Sequence, residues 1–316
     1  MNIDLSADAL EFGSQASRAL EAAGGDQLVQ LAEREPGRRS SLVAPVLSGL
    51  GAWDLDPRND ADELEAAAAL CRSAGYWAVP YPLAERLSRP ADLEVDGLLV
   101  IADHRPEAPV ADLELRWAAV TLSGRRSNVA VGPSRSPRGS SFVTSLELGY
   151  LDDDGAADVA LGLVLPCWTL LGMLDRAMDL TRAHVLLREQ FGKPLAQLQG
   201  VQFQLTEAEV ERTGLDVLAK YALWSIQVGR AEALDDALAL RSAAIEAAEI
   251  VFRVAHQLHG AIGFCDESTL SWLSRYSLPL RRLPLGLSGT GDALTRRIGR
   301  TGLTGLFDED PAAVTG

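Results

Sequence analysis

The sequence predicts a mostly helical α+β protein, with helices at the N-terminal side, one small sheet in the middle and a long helical bundle after it. Three observations carry that expectation. Apolar residues recur at helical spacing through roughly 1–88 and again from about 158 onward. Between these stretches the pattern changes to short, partly β-branched runs separated by Gly and Pro. The composition is that of a globular chain: 316 residues, 47% hydrophobic and 23% charged, with ample material for a core.

In chain order, Ser6-Ala7-Asp8-Ala9-Leu10-Glu11 is a capped helix start, and Leu42, Val43, Val46, Leu47 and Leu50 follow at helical spacing. Asp60-Ala61-Asp62-Glu63 opens a helix through Leu64, Ala68 and Cys71, with acids at the end whose dipole favours them and Gly75 as its expected stop. Pro80, Pro82 and Pro90 then punctuate the change of pattern. Strands are expected at Leu98–Ile101, Trp117–Leu122, Asn128–Val131 and Ser141–Thr144, separated by Gly124, Gly132-Pro133, Pro137 and Gly139. They should form a small antiparallel sheet, with Asp152-Asp153-Asp154-Gly155 as an exposed turn. Three apolar stripes follow: Leu170, Leu174, Ala177, Met178, Thr181 and Val185; Val201, Leu205, Ala208, Leu215 and Leu218; and Leu240, Ala243, Ala247, Ile250, Val251, Val254 and Leu258. Ile245 to Ala261 is apolar on more than one face, as in a helix buried between neighbours. The expected domains are 1–88 (helical), 89–157 (β) and 158–316 (helical bundle).

With 29 Lys+Arg against 44 Asp+Glu the net charge is −15, which repels phosphate backbones and anionic lipid. Neither nucleic acid nor a membrane surface is an expected partner, although a local pocket for one anion is compatible with this balance. Cys71, Cys167 and Cys265 are odd in number and form no CxxC pair, as suits free thiols in a reducing cytoplasm rather than a disulfide framework or a zinc site. The N-terminus has no basic region followed by an apolar stretch. The longest uncharged apolar run, Val159 to Leu174, falls short of the ~20 residues of a bilayer span and contains Pro166. A soluble cytoplasmic protein is expected.

Two strings carry the chemistry. The first is Arg188-Glu189-Gln190-Phe191-Gly192-Lys193-Pro194-Leu195, followed by Gln197-Leu198-Gln199. Read by residue type, it is either a connector between two helices or a clamp for a diphosphate, since guanidinium binds such a group bidentately and amides donate at its edges. The second is Ala255-His256-Gln257-Leu258-His259-Gly260-Ala261-Ile262-Gly263-Phe264, where glycines permit close backbone approach. His256 and His259 are spaced i,i+3, but a metal site needs a third ligand and none is near in sequence.

In this order and at this separation the strings resemble the acyl-CoA dehydrogenase family, flavoproteins that desaturate acyl-CoA thioesters. That family carries R-x-x-F-G-K/x-P, then a Gln near the start of the next helix, and later Q-x-x-G-G-x-G-F. Arg188, Phe191, Gly192 and Gln199 match the first pattern; Gln257, Gly260, Gly263 and Phe264 match the second, with Ala261 in place of the family's second Gly. The resemblance is strongest over about 160–275, weaker before 90 and poor in the β segment. It implies the family's helical domain–β domain–four-helix bundle fold and FAD as cofactor. Arg188, Phe191, Gln199, Gln257, Gly260 and Ala261 would then contact the ADP half of the FAD of a neighbouring subunit.

The family's reaction also needs a carboxylate that removes an α-proton. Ungapped spacing from Gln257 places that position at Pro284, alignment of Gly289-Thr290 places it at Ser288, and the alternative position on the first bundle helix falls near Gly162. None is an acid, and no Asp or Glu lies between Glu267 and Asp292, so no catalytic residue is assigned. Asp158, Asp175 and Asp179 are the acids near the last of these positions, with Asp179 read as a polar partner on the bundle surface. Trp117 is read as a core aromatic, since Trp117–Thr121 only faintly matches the family's flavin-covering string. Arg125, Arg126, Arg135 and Arg138 could hold CoA phosphates or form a solvated basic loop.

The resemblance then implies a short, base-less partner subunit of an α2β2 acyl-CoA dehydrogenase of the kind found in actinobacterial steroid (cholesterol) degradation. Its associates would be a longer catalytic subunit, a bulky acyl-CoA substrate and an electron-transfer flavoprotein or similar acceptor. Two alternatives stand beside it: a self-sufficient homo-oligomeric dehydrogenase with a relocated carboxylate, and a flavin-free scaffold.

Overall fold

In a computed structural model residues 2–135 and 142–302 are described. Two helices start where the sequence caps them. Helix α1 (Ala7–Ala22) begins at Ser6, whose side chain accepts the Ala9 N–H, and α4 (Ala61–Tyr76) begins at Asp60, whose carboxylate accepts from Asp62 and Glu63. Between them lie α2 (Gln27–Arg34) and α3 (Arg39–Gly49), the latter burying Val43 and Leu47; the short α5 (Leu83–Leu87) follows α4. Gly75, expected to end α4, is its penultimate residue, and the helix stops at Tyr76. A Cβ on Gly75 would come within 1.9 Å of the Thr169 carbonyl oxygen on α6 (Ala156–Leu187), and one on Gly172 of α6 within 1.9 Å of the Arg72 carbonyl oxygen. The two glycines therefore let α4 and α6 cross with their backbones in contact.

The sheet comprises β1 (Gly97–Ile101), β2 (Glu107–Ala108), β3 (Trp117–Thr121), β4 (Arg125–Arg135) and β5 (Thr144–Asp154), in the order β1-β3-β4-β5-β2. It is mixed rather than purely antiparallel, because β1 and β3 run parallel. Parallel neighbours need a crossover. Here residues 102–116 supply one by carrying the chain to the far edge, where β2 pairs with β5, and back. The strand expected at Ser141–Thr144 begins only at Thr144, and the expected turn at Asp152–Asp154 is the end of β5. Pro137, Arg138, Gly139 and Ser141 lie outside the described residues.

A buried charge cluster explains the longer strand. Arg126, a candidate for a solvated loop, is 6% exposed and donates to Asp92, Asp153 and Asp158. Arg58 reaches the other oxygen of Asp158 at 2.7 Å. Sheet, first turn of α6 and the residues after α5 are thus joined through paired charges, which is the condition for burying them. Arg125 instead meets Asp103 at the surface.

The bundle is formed by α6, α7 (Gln199–Gln227), α8 (Ala233–His259) and α11 (Leu287–Thr301), with the short α9 (Thr269–Tyr276) and α10 (Leu278–Arg282) leading into the last. The predicted stripe on α6 is buried throughout, whereas Leu218 on α7 is exposed. Helix α6 continues through Pro166 and is longer than its apolar run suggested. Its most apolar 18-residue window has a mean hydropathy of 1.8 and is 72% buried inside the protein, between α4 and α8. Trp168, Leu163, Leu165, Leu170 and Leu171 are fully buried there, each aliphatic side chain contributing about 2 kcal/mol by transfer from water. Cys71 and Cys167 are buried and Cys265 is exposed, all as free thiols.

Candidate cofactor site

Two helix ends build a cleft. After α6, Arg188 turns into extended backbone and leads into a hairpin of β6 (Glu189–Gln190) and β7 (Lys193–Pro194). The two residues at its tip, Phe191 and Gly192, have φ of 54° and 74°. Two positive φ values match the right-handed strand twist of a tight hairpin, but a phenylalanine there is strained. Its ring is 88% exposed. On the other side, α8 ends at Gly260, with φ of 63°, and a 3-10 turn over Gly260–Phe264 follows. The cleft between these ends has a volume of about 600 Å3.

Arg188, Gln257, Gly260 and Ala261 all line this cleft, so the structure brings together four of the six residues named from sequence. Phe191 stands at the hairpin tip and Gln199 is exposed at the start of α7, both outside the lining. The guanidinium of Arg188 is exposed and has no partner among the described residues. Deeper in, His184 and His259 stack with centroids 4.4 Å apart. Burial lowers the pKa of both imidazoles, and Arg188 lowers that of His184 further. Gln204 also lines the cleft, with its side-chain oxygen buried and unpaired. His184 and Gln204 escaped the sequence reading. The available signal was helical spacing, His184 lying one turn before Arg188. His256 and His259 do not converge, since His256 stacks on Phe264 instead. An unpaired cation at the mouth and amides beside it fit a phosphate, and the unpaired buried oxygen inside fits a hydroxyl or amine donor on the same ligand, as in the ADP half of FAD.

A second region lies between the sheet, α6 and the α10–α11 connection. It contains two cavities of about 70 and 50 Å3, both touching Glu85 and Pro109. At ~15 Å3 per water the larger holds roughly five waters, far less than a three-ring flavin. Gly162 and Pro284 line the same small cavity. A Cβ on Gly162 would meet Val100 at 2.5 Å, and Ser288 is exposed. Buried Arg241 of α8 donates to the carbonyls of Leu280, Leu283 and Leu285, fixing the connection across this region. Arg39 is likewise consumed by the carbonyls of Pro80, Pro109 and Ala111, and burial lowers its pKa to about 10. Trp117 is 2% exposed in the core, as expected from the sequence.

The acids near Gly162 are all engaged. Asp158 sits between Arg58 and Arg126, Asp175 pairs with Arg72 and Arg212, and Asp179 accepts from Tyr76 and Arg182. Glu85 differs: it has no ion pair among the described residues, and burial raises its pKa.

The helix–sheet–bundle fold is similar to that of solved acyl-CoA dehydrogenases. Residues 164–303 match the family model for the acyl-CoA dehydrogenase C-terminal domain. Acyl-CoA dehydrogenase FadE28 of Mycobacterium tuberculosis is 28% identical over 281 residues, covering 82% of each chain. A chain of the ChsE4-ChsE5 complex from Mycobacterium tuberculosis superimposes with a TM-score of 0.75 at 16% identity, over 96% of this chain and 100% of that one. A chain of the Tcur3481-Tcur3483 steroid ACAD gives 0.72 at 18% identity, over 93% of this chain and 98% of that one.

Proposed function

We propose that this chain is the partner subunit of a heterotetrameric FAD-dependent acyl-CoA dehydrogenase, an oxidoreductase in which a longer subunit holds the base. In this reading 1–88 is a reduced helical domain, 89–157 a small β domain and 158–316 the bundle that carries the cofactor contacts. Arg188, Phe191, Gln199, Gln257, Gly260 and Ala261 meet the ADP half of a FAD seated mainly in the partner. When bound, that FAD supplies the hydride acceptor, while this chain's residues bind and orient the diphosphate end.

The observation that carries the reading is Phe191. An 88% exposed phenyl ring on a strained turn, beside an unpaired Arg188, is a surface built to be covered. The surroundings support it: Leu187, Phe203, Ile262 and Phe264 are also exposed, and Phe203, Val210 and Val217 repeat every seven residues along α7. The bulky substrate class is suggested by relatives whose names include a steroid ACAD and a two-protein ChsE4-ChsE5 complex. A cytoplasmic location and an electron-transfer flavoprotein or similar acceptor complete the proposal.

Purification alone and with the genomically adjacent dehydrogenase subunit tests it. The lone chain should be colourless and inactive, and the pair yellow and active. Stoichiometric FAD with full turnover in the lone chain would sink the reading. Val210→Asp with Val217→Asp should abolish co-purification.

A second reading, a self-sufficient enzyme with a relocated base, has one observation in its favour: the unpaired carboxylate of Glu85 at the junction of the two small cavities. It predicts turnover by the lone chain that Glu85→Gln removes.

A further inference from the structure

We propose that Gln204 and the stacked pair His184–His259 form a recognition wall inside the cleft, which selects a nucleoside diphosphate over inorganic diphosphate. The proposal rests on reading Arg188 as a diphosphate clamp and assigns the side chains behind it.

The cleft is chemically divided. Its mouth offers a cation and amide donors, from Arg188 and Gln257. Its interior offers acceptors. The side-chain oxygen of Gln204 is buried and unpaired. The Nδ1 of His259 lies 2.8 Å from the Ala255 carbonyl oxygen, which can only accept, so Nδ1 carries the proton and donates. In the neutral ring Nε2 is then a free acceptor. Burial favours that neutral form, and the neighbouring rings and Arg188 oppose added positive charge in the pair. The ring of His184 stacked on His259 fixes its orientation.

Inorganic diphosphate carries almost only acceptor oxygens near neutral pH. It can satisfy Arg188 but leaves the interior acceptors unpaired, which is unfavourable when they are desolvated. A nucleoside diphosphate places the same charge on Arg188 and adds hydroxyl and amine donors at the distance of a sugar and a base. Selectivity follows because a site built of hydrogen-bonding groups rejects a ligand that lacks their complements.

Calorimetric titration of the full chain with ADP and, separately, with inorganic diphosphate at pH 7.5 tests this. ADP should bind at least about tenfold more tightly. Gln204→Leu and His259→Phe, checked for native circular dichroism, should each bring the two affinities within about threefold of one another, whereas Arg188→Ala should weaken both ligands together. Equal binding of the two ligands by the unaltered chain overturns the recognition wall and leaves the clamp standing. So does a Gln204→Leu variant whose preference for ADP is undiminished. Failure of both ligands to bind, to the chain and to its complex with the partner, overturns the clamp and the wall together.

Discussion

The cleft at the end of the bundle and the crevice beneath the sheet both use α6 and α8, yet they differ in what their polar groups have been given. In the crevice Arg39 and Arg241 are each bound to three backbone carbonyls, and only cavities of about 70 and 50 Å3 remain. In the cleft Arg188 has no partner among the described residues, the Gln204 oxygen is unpaired, and about 600 Å3 is open. A site that waits for a ligand leaves its charges unpaired, whereas a region that serves stability satisfies them internally. Within one fold, the cleft is open with polar groups unpaired, while the crevice is nearly filled and its two arginines are held by carbonyls.

The largest expected effect strikes at the filled region. Arg241→Met leaves three carbonyls without their donor and should cost about 3 kcal/mol or more. On thermal unfolding followed by circular dichroism this lowers Tm by roughly 6–12 °C. A shift below a degree would mean the connection is held by something else. Next is the cleft: Arg188→Ala should leave Tm unchanged and reduce FAD in the purified complex by roughly tenfold or more, corresponding to about 1.5–3 kcal/mol for a charge-assisted contact. Loss of stability without loss of FAD would reverse the roles assigned to the two regions.

Gly162→Glu sharpens the same contrast. It places a carboxylate at one of the positions to which the resemblance assigns a base, but the side chain meets Val100, so a cost of about 1–3 kcal/mol and no gain in turnover are expected. A stable, active variant would show that the crevice can open.

The smallest effect belongs to Glu85. Its folded pKa is raised above the ordinary 4.5 by burial, so the folded chain binds this proton more tightly than the unfolded one. The stability it contributes is present below pH 4.5 and is lost as pH rises through the folded pKa. Glu85→Gln should therefore show a Tm advantage that opens above pH 4.5 and grows towards neutrality. A constant gap between pH 4.5 and 8 would show that Glu85 titrates normally.

Much of this was legible in the chain because it is local. Ser6 and Asp60 cap helices through their own next residues, the α6 stripe is a matter of spacing, and the two strings at 188–199 and 257–264 lie at helix ends that any reading of Gly and Pro would find. What could not be read depends on partners distant in sequence. Gly75 stands at the end of α4 as the sequence suggests, but nothing local shows that Thr169 lies against it. Arg126 looked solvated because Asp92, Asp153 and Asp158 meet it only once sheet and bundle are packed. The parallel pairing of β1 and β3 depends on where residues 102–116 travel, which strand propensity does not encode.

The sequence by itself determined the order of helices, sheet and bundle, the apolar faces that drive their packing, and the absence of an acid at Pro284, Ser288 and Gly162. Only the tertiary structure decided which arginines are spent on carbonyls and carboxylates and which, like Arg188, are left without a partner among the described residues, because burial and pairing are properties of surfaces brought together. That distinction separates Arg241 from Arg188, two residues of the same type whose chemistry differs solely through what surrounds them.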